Sequence, residues 1–131
     1  MKKIAKVLAA LGCILTLSVP GVLHAREIQS LNDFSIPAYQ GIAYTSQLTK
    51  AITNAPWVMN LNPNSNCKEV DTGLINSNGE LRSNYARIQK GLRYEIPSSG
   101  TAGYWYRAFV MNSKSSCLKS SINGSWSPDN R

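Results

Sequence analysis

The chain has 131 residues, 43% of them hydrophobic, and a formal net charge of +7, and the part that remains once a leader is removed suits one small domain. The chain's one histidine, His24, falls in a stretch that reads as a removable leader. The mature protein is thereby denied a Ser-His-Asp triad, a Cys-His dyad or an imidazole zinc site.

The leader pattern is complete. Lys2, Lys3 and Lys6 accompany an apolar run over 4–19, Pro20-Gly21 breaks it, and Leu23-His24-Ala25 offers a small residue for cleavage after Ala25. A retained membrane anchor would need about 20 apolar residues, more than this run supplies. Leu11-Gly12-Cys13 suggests a lipid-attachment cysteine, but the apolar run continues past Cys13, which places that residue inside the leader's core. With residues 1–25 removed, three of the 14 Lys and Arg leave, so eleven cations face seven acids and the charge falls to about +4. That modest charge, the absence of a basic run and an exported location argue against nucleic acid.

Two cysteines survive, Cys67 and Cys117, and an even count in an exported domain reads as one disulfide, with an intermolecular link as the alternative. Closing that loop within one chain would stabilise the fold by roughly 4 kcal/mol in the chain-entropy model. Neither cysteine lies in a Cys-x-x-Cys pair, so nothing points to an activated thiol.

In chain order, 26–32 reads as a weakly ordered lead, and 33–39 alternates with Phe34, Ile36 and Ala38 on one face. Pro37 makes this an edge strand. Residues 40–51 fit a helix or an irregular strand, Thr53-Asn54-Ala55-Pro56 a turn, and 57–61 a strand with Trp57, Met59 and Leu61 together. After the loop 62–66, a strand over 70–75 meets the hairpin signal Asn76-Ser77-Asn78-Gly79, with 81–89 as its partner. Gly91 breaks the chain, 92–96 alternates with Leu92, Tyr94 and Ile96 on one face, and 97–100 turns into 103–112. That last run, Gly103-Tyr104-Trp105-Tyr106-Arg107-Ala108-Phe109-Val110-Met111-Asn112, is expected to be the central strand, apolar on both faces. A turn over 113–116, a strand over 117–122, a turn at Asn123-Gly124 and a final edge at Ser125-Trp126-Ser127 complete the chain. Seven or eight short strands separated by turn residues predict an all-β domain, a small antiparallel sandwich or barrel.

The segments Phe34-Ser35-Ile36-Pro37-Ala38-Tyr39-Gln40, Tyr44, Thr53-Asn54-Ala55-Pro56-Trp57-Val58-Met59-Asn60 and Gly124-Ser125-Trp126-Ser127-Pro128-Asp129 together resemble a domain family of unknown function found in small secreted proteins of Gram-positive bacteria. The resemblance implies a secreted all-β domain and brings no activity with it. The cysteine pair does not match that pattern.

Without histidine, catalysis would rest on carboxylate pairs, on Tyr or Lys acid–base work, or on Ser-Lys arrangements. Glu69 and Asp71, same-face neighbours, are the closest pair of acids, a pattern more typical of a solvated edge. No calcium loop of the Asp-x-Asn-x-Asp-Gly kind is present, and no cofactor or metal is expected. A non-enzymatic binding role is therefore the leading expectation. Its candidate residues are Arg82, Tyr85, Arg87, Arg93, Tyr104, Tyr106 and Arg107, with Tyr94 nearby, which would line one face if 81–89, 91–96 and 103–112 formed a meander. The expected partner is an anionic cell-envelope polymer or a protein, with peripheral membrane contact left open. The competing reading buries Tyr94, Trp105 and Phe109 as core and scatters the arginines as solubilising charges. A second functional class is a bacteriocin-like antagonist of competitor cells, although no amphipathic helix supports pore formation.

Overall fold

The computed structural model describes residues 25–62, 69–114 and 118–131. The leader through His24 and the pair Cys67 and Cys117 lie outside them. Nine strands and no helix occur among the described residues: β1 (Gln29–Ile36), β2 (Ala43–Tyr44), β3 (Leu48–Thr49), β4 (Trp57–Leu61), β5 (Glu69–Asn76), β6 (Ala86–Gln89), β7 (Arg93–Ile96), β8 (Trp105–Asn112) and β9 (Ser120–Ser127). They form two antiparallel sheets. One has the order β1-β9-β4-β7; in the other, β2-β8-β5-β6, the short β3 also pairs with β8. The domain is an all-β sandwich, and two sheets rather than one closed barrel decide between the expected architectures.

Strand alternation builds the core. Trp57, Met59 and Leu61 of β4 face inward as their spacing requires, and Tyr106, Ala108 and Val110 of β8 meet them from the other sheet. Leu31, Ile36, Ile122 and Trp126 complete the first layer, Val70, Leu74 and Ile88 the second. The Trp57 and Trp126 rings meet edge to face, with centroids 6.4 Å apart.

The first strand begins earlier than its alternation indicates. Between Leu31 and Phe34 the register with β9 shifts, and Asp33 takes a positive φ of 47° while its N–H donates to Asn123 Oδ1. This β-bulge inserts an extra residue, so Leu31 and Ile36 both reach the core despite their odd separation. Opposite the bulge, Asn123-Gly124 lies inside β9 and is not a turn. Gly124 has φ 153°, and a Cβ there would stand 1.9 Å from the Asn60 carbonyl oxygen, so glycine admits the close approach of β4. Ser125-Trp126-Ser127 consequently runs between β1 and β4 rather than along an edge.

The expected meander is also replaced. β7 pairs with β4 in one sheet, whereas β6 and β8 both pair with β5 in the other. The hairpin after β5 does form: Asn76 Oδ1 accepts the N–H groups of Asn78 and Glu80, and Gly79 supplies φ 79°. Its return arm is interrupted, because Ser83 bridges to Ser98 and its hydroxyl accepts the Leu74 N–H. The chain rejoins β5 only at Ala86.

Two buried polar nodes close the ends. Lys50, with its side chain fully buried, donates to the carbonyls of Ala55 and Pro128 and to the Asp129 carboxylate. Asp129 in turn accepts the Ala51 and Ile52 N–H groups. At the other node Asn112 donates to the Pro37 and Leu118 carbonyls and accepts the Ser120 hydroxyl. The core and these nodes together use Ile36 and Trp57 as packed side chains, Pro37 and Ala55 as carbonyl acceptors, and Trp126, Pro128 and Asp129 at the close.

Candidate binding face

The outer face of the five-stranded sheet carries what β8 turns away from the core: Trp105, Arg107, Phe109 and Met111. Antiparallel register sets one row straight across it. Tyr44 of β2 stands opposite Phe109, and Phe109 opposite Gly73 of β5. Since Thr72 pairs with Ala86, Tyr85 continues the same row beyond Gly73. Gly73 is what brings the aromatic groups together. A Cβ there would lie 2.5 Å from the Phe109 ring, so glycine leaves the room in which that ring crosses the strand. Phe109 then meets Tyr85 edge to face, with centroids 5.2 Å apart. This covers Phe109, which is buried on the outer face rather than in the core.

A groove of about 250 Å³ follows this row. Phe109, Ile75 and Met111 line its base; Ile42 and Tyr44 stand along one flank, and Leu81 and Tyr85 along the other. Ile42, Tyr44, Leu81 and Tyr85 all keep substantial exposure, Tyr85 as much as 66%. Large apolar groups collected around a concavity are unlike singly scattered surface residues, which need no explanation. Arg107 enters the same groove with its guanidinium carbon 4.5 Å from the Tyr44 ring centroid, a cation–π contact. Its Nε is buried and has no hydrogen-bond partner.

No family model, no curated protein and no solved structure matches the chain.

The candidate residues read from the sequence are thus divided. Tyr85 and Arg107 meet in the groove. Arg87 lies on the same sheet face, but its guanidinium holds the Asp71 carboxylate through two hydrogen bonds of 2.9 and 3.2 Å and also pairs with Glu69. The Asp71 hydrogen bond raises the Arg87 pKa above its ordinary value. Glu69 and Asp71 are therefore ion-pair partners of one arginine. Tyr104, exposed, and Arg82 border a second hollow of about 330 Å³ with Trp105 and Asn76, and Arg82 is paired with Glu80. Arg93 and Tyr94 belong to the other sheet, where an Arg93 hydrogen bond holds the Glu95 carboxyl below its usual range. Tyr106 also lines the second hollow, but its ring is buried against the core, so only its hydroxyl end, which accepts the Thr101 N–H at 2.7 Å, reaches that side. Trp105 is a correction, being 58% exposed where the competing reading buried it.

Ile42, Tyr44, Ile75, Leu81 and Met111 were not singled out as binding residues. The outward parity of Met111 and Phe109 is plain in the sequence, and a glycine within the strand 70–75 signals close approach. The partnership of Tyr44 with β8 has no local signature, because β2 is two residues long. Among the described residues, no group of three or more His, Cys, Asp or Glu gathers as a metal site.

Proposed function

We propose that the protein is a secreted, non-enzymatic binding module acting at the bacterial cell surface, and that it receives its ligand on the outer face of the five-stranded sheet. The observation that carries this reading is the groove between Tyr44 and Tyr85, floored by Phe109, in which exposed aromatic and aliphatic groups converge around one arginine. Tyrosine and arginine are the residue types that most often dominate binding energy, since each presents a large contact surface with a polar end. The leader pattern supports export.

A purely electrostatic mode has less support. Arg82, Arg87 and Arg93 each face a carboxylate of the same chain, so their fields are largely cancelled at short range. The test is retention of the mature chain, 26–131, on whole cells and isolated walls at low and moderate salt. Replacing Tyr44 and Tyr85 together by Ser should weaken retention by roughly tenfold or more, while replacing Arg82, Arg87 and Arg93 together by Gln should leave it nearly unchanged. Loss of retention in the arginine variant alone would overturn the groove as the binding site in favour of a charge-driven surface.

A further inference from the structure

Arg107 is set apart from the other arginines of the sheet faces. Glu80 pairs with Arg82, Glu69 and Asp71 with Arg87, Glu95 with Arg93, and Asp129 with Lys50. Glu27 receives the Thr49 N–H, and none of the seven acids, all within the described residues, forms an ion pair with Arg107. Its Nε is withdrawn from solvent without an acceptor, and the cation lies against a tyrosine ring at the edge of an apolar groove. A partly desolvated cation of this kind is stabilised by an anion, and the planar guanidinium fork fits a carboxylate through two parallel hydrogen bonds.

The remainder of the lining narrows the ligand. Apart from Arg107, its side-chain polar groups are the hydroxyls of Tyr44 and Tyr85. A sugar ring brings several hydroxyls that need partners, and the groove has no carboxylate or amide side chain to receive them. An apolar body meets no such cost. The volume of about 250 Å³ lies below the range of roughly 300–1,000 Å³ usual for drug-sized ligands, so that body is short.

Resting on the binding role assigned to this face, we propose that the groove takes a small amphiphilic carboxylate, its apolar chain on Phe109 between Tyr44 and Tyr85 and its carboxylate on Arg107. Medium-chain acids and acyl fragments of surface lipids share this chemistry. Octanoate, octanol and octylammonium, matched in chain length and titrated at constant ionic strength into the mature chain, separate the contributions. Octanoate should shift the aromatic NMR signals of Phe109, Tyr44 and Tyr85 and bind about tenfold or more tightly than octylammonium, as expected for a charge-assisted hydrogen bond. Arg107→Gln should reduce octanoate to the affinity of octanol. Equal binding of octanoate and octylammonium, or shifts confined to residues outside the groove, would overturn the proposal, and this series on the unaltered protein depends on no variant folding. Retention on cells that requires Tyr44 and Tyr85 while octanoate is ignored would overturn the carboxylate assignment alone. Absence of both would remove the binding reading with it. Vesicles with and without 10% decanoic acid in phosphatidylcholine distinguish a membrane-held source from a free one: retention only with the acid assigns the lipid surface, and octanoate binding without vesicle retention assigns a dissolved ligand.

Discussion

At the scale of single residues, glycines and tryptophans separate positions that composition alone makes look alike. Gly73 and Gly124 have no turn to make, yet each removes a Cβ from a crowded place, against the Phe109 ring in one case and the Asn60 carbonyl in the other. An aromatic ring can tilt, whereas a paired backbone carbonyl cannot move without its strand. Gly73→Ala should therefore cost about 1–3 kcal/mol, the range for overpacking, and should disturb the Tyr85–Phe109 contact, seen as a change in near-ultraviolet circular dichroism. Gly124→Ala should cost more and lower the melting temperature further. The tryptophans make a complementary comparison. Trp57→Ala removes a ring with 0% exposure from the core and should cost about 3–5 kcal/mol. Trp105→Ala, on the outer face, should change denaturant stability by no more than about 0.5 kcal/mol.

At the scale of elements, the pairing of β6 and β8 on either side of β5 determines which charges face one another. Asp71 and Arg87 are cross-strand neighbours on the outer face, and Glu80 and Arg82 flank the return of the hairpin. Such exposed pairs contribute little to stability, because water and salt screen them. Arg82→Gln, Arg87→Gln and Arg93→Gln combined should consequently leave the protein folded, with a small loss that shrinks as salt is raised in urea titrations. The interrupted arm between Leu81 and Ala86 follows the same pattern of local exchange: the Ser83 hydroxyl replaces a ladder acceptor for Leu74 while the backbone turns away to Ser98. That detour leaves Leu81 and Tyr85 raised beside the groove instead of aligned in a continuous strand.

At the scale of the whole molecule, Lys50 and Asp129 join the 50–55 loop to the last residues of the chain inside the fold. Removing one partner of a buried pair leaves an uncompensated charge and typically costs about 3–5 kcal/mol, whereas replacing both is far less damaging. Lys50→Met should fall in that range, and Lys50→Met with Asp129→Asn should recover part of the loss in a double-mutant cycle followed by urea unfolding. The pH dependence has a definite sign. Burial lowers the Lys50 pKa below its ordinary 10.5, with Asp129 opposing the shift. Between the folded and unfolded values the unfolded chain holds this proton more tightly, so the contribution of Lys50 to stability rises as pH climbs through the folded pKa toward 10.5. The stability advantage of the unaltered protein over Lys50→Met should widen from neutral pH toward that limit.

Alternation in Trp57-Val58-Met59-Asn60-Leu61 and in 104–112, with turn residues at Asn54 and Asn76 to Gly79, was sufficient for an all-β domain, a central strand and much of its core. These are local properties, fixed by side-chain parity and by backbone angles that few residues adopt. Parity held for Phe34 and Ile36 but could not be carried back to Leu31, because the Asp33 bulge adds one residue between them, and Asn123-Gly124 misled because a glycine needed for close approach has the same letters as one needed for a turn. The arginine–tyrosine set was legible as chemistry but not as a site. Which strands are neighbours depends on contacts distant in sequence: β7 joined β4, sending Arg93 to the opposite sheet, and the two residues of β2 delivered Tyr44 to Phe109 and Arg107. Sequence by itself determined strand content, the facing of residues within each strand and the supply of aromatic and cationic groups. Tertiary structure alone decided which of those groups share a surface, because long-range strand pairing selects neighbours that no local pattern encodes.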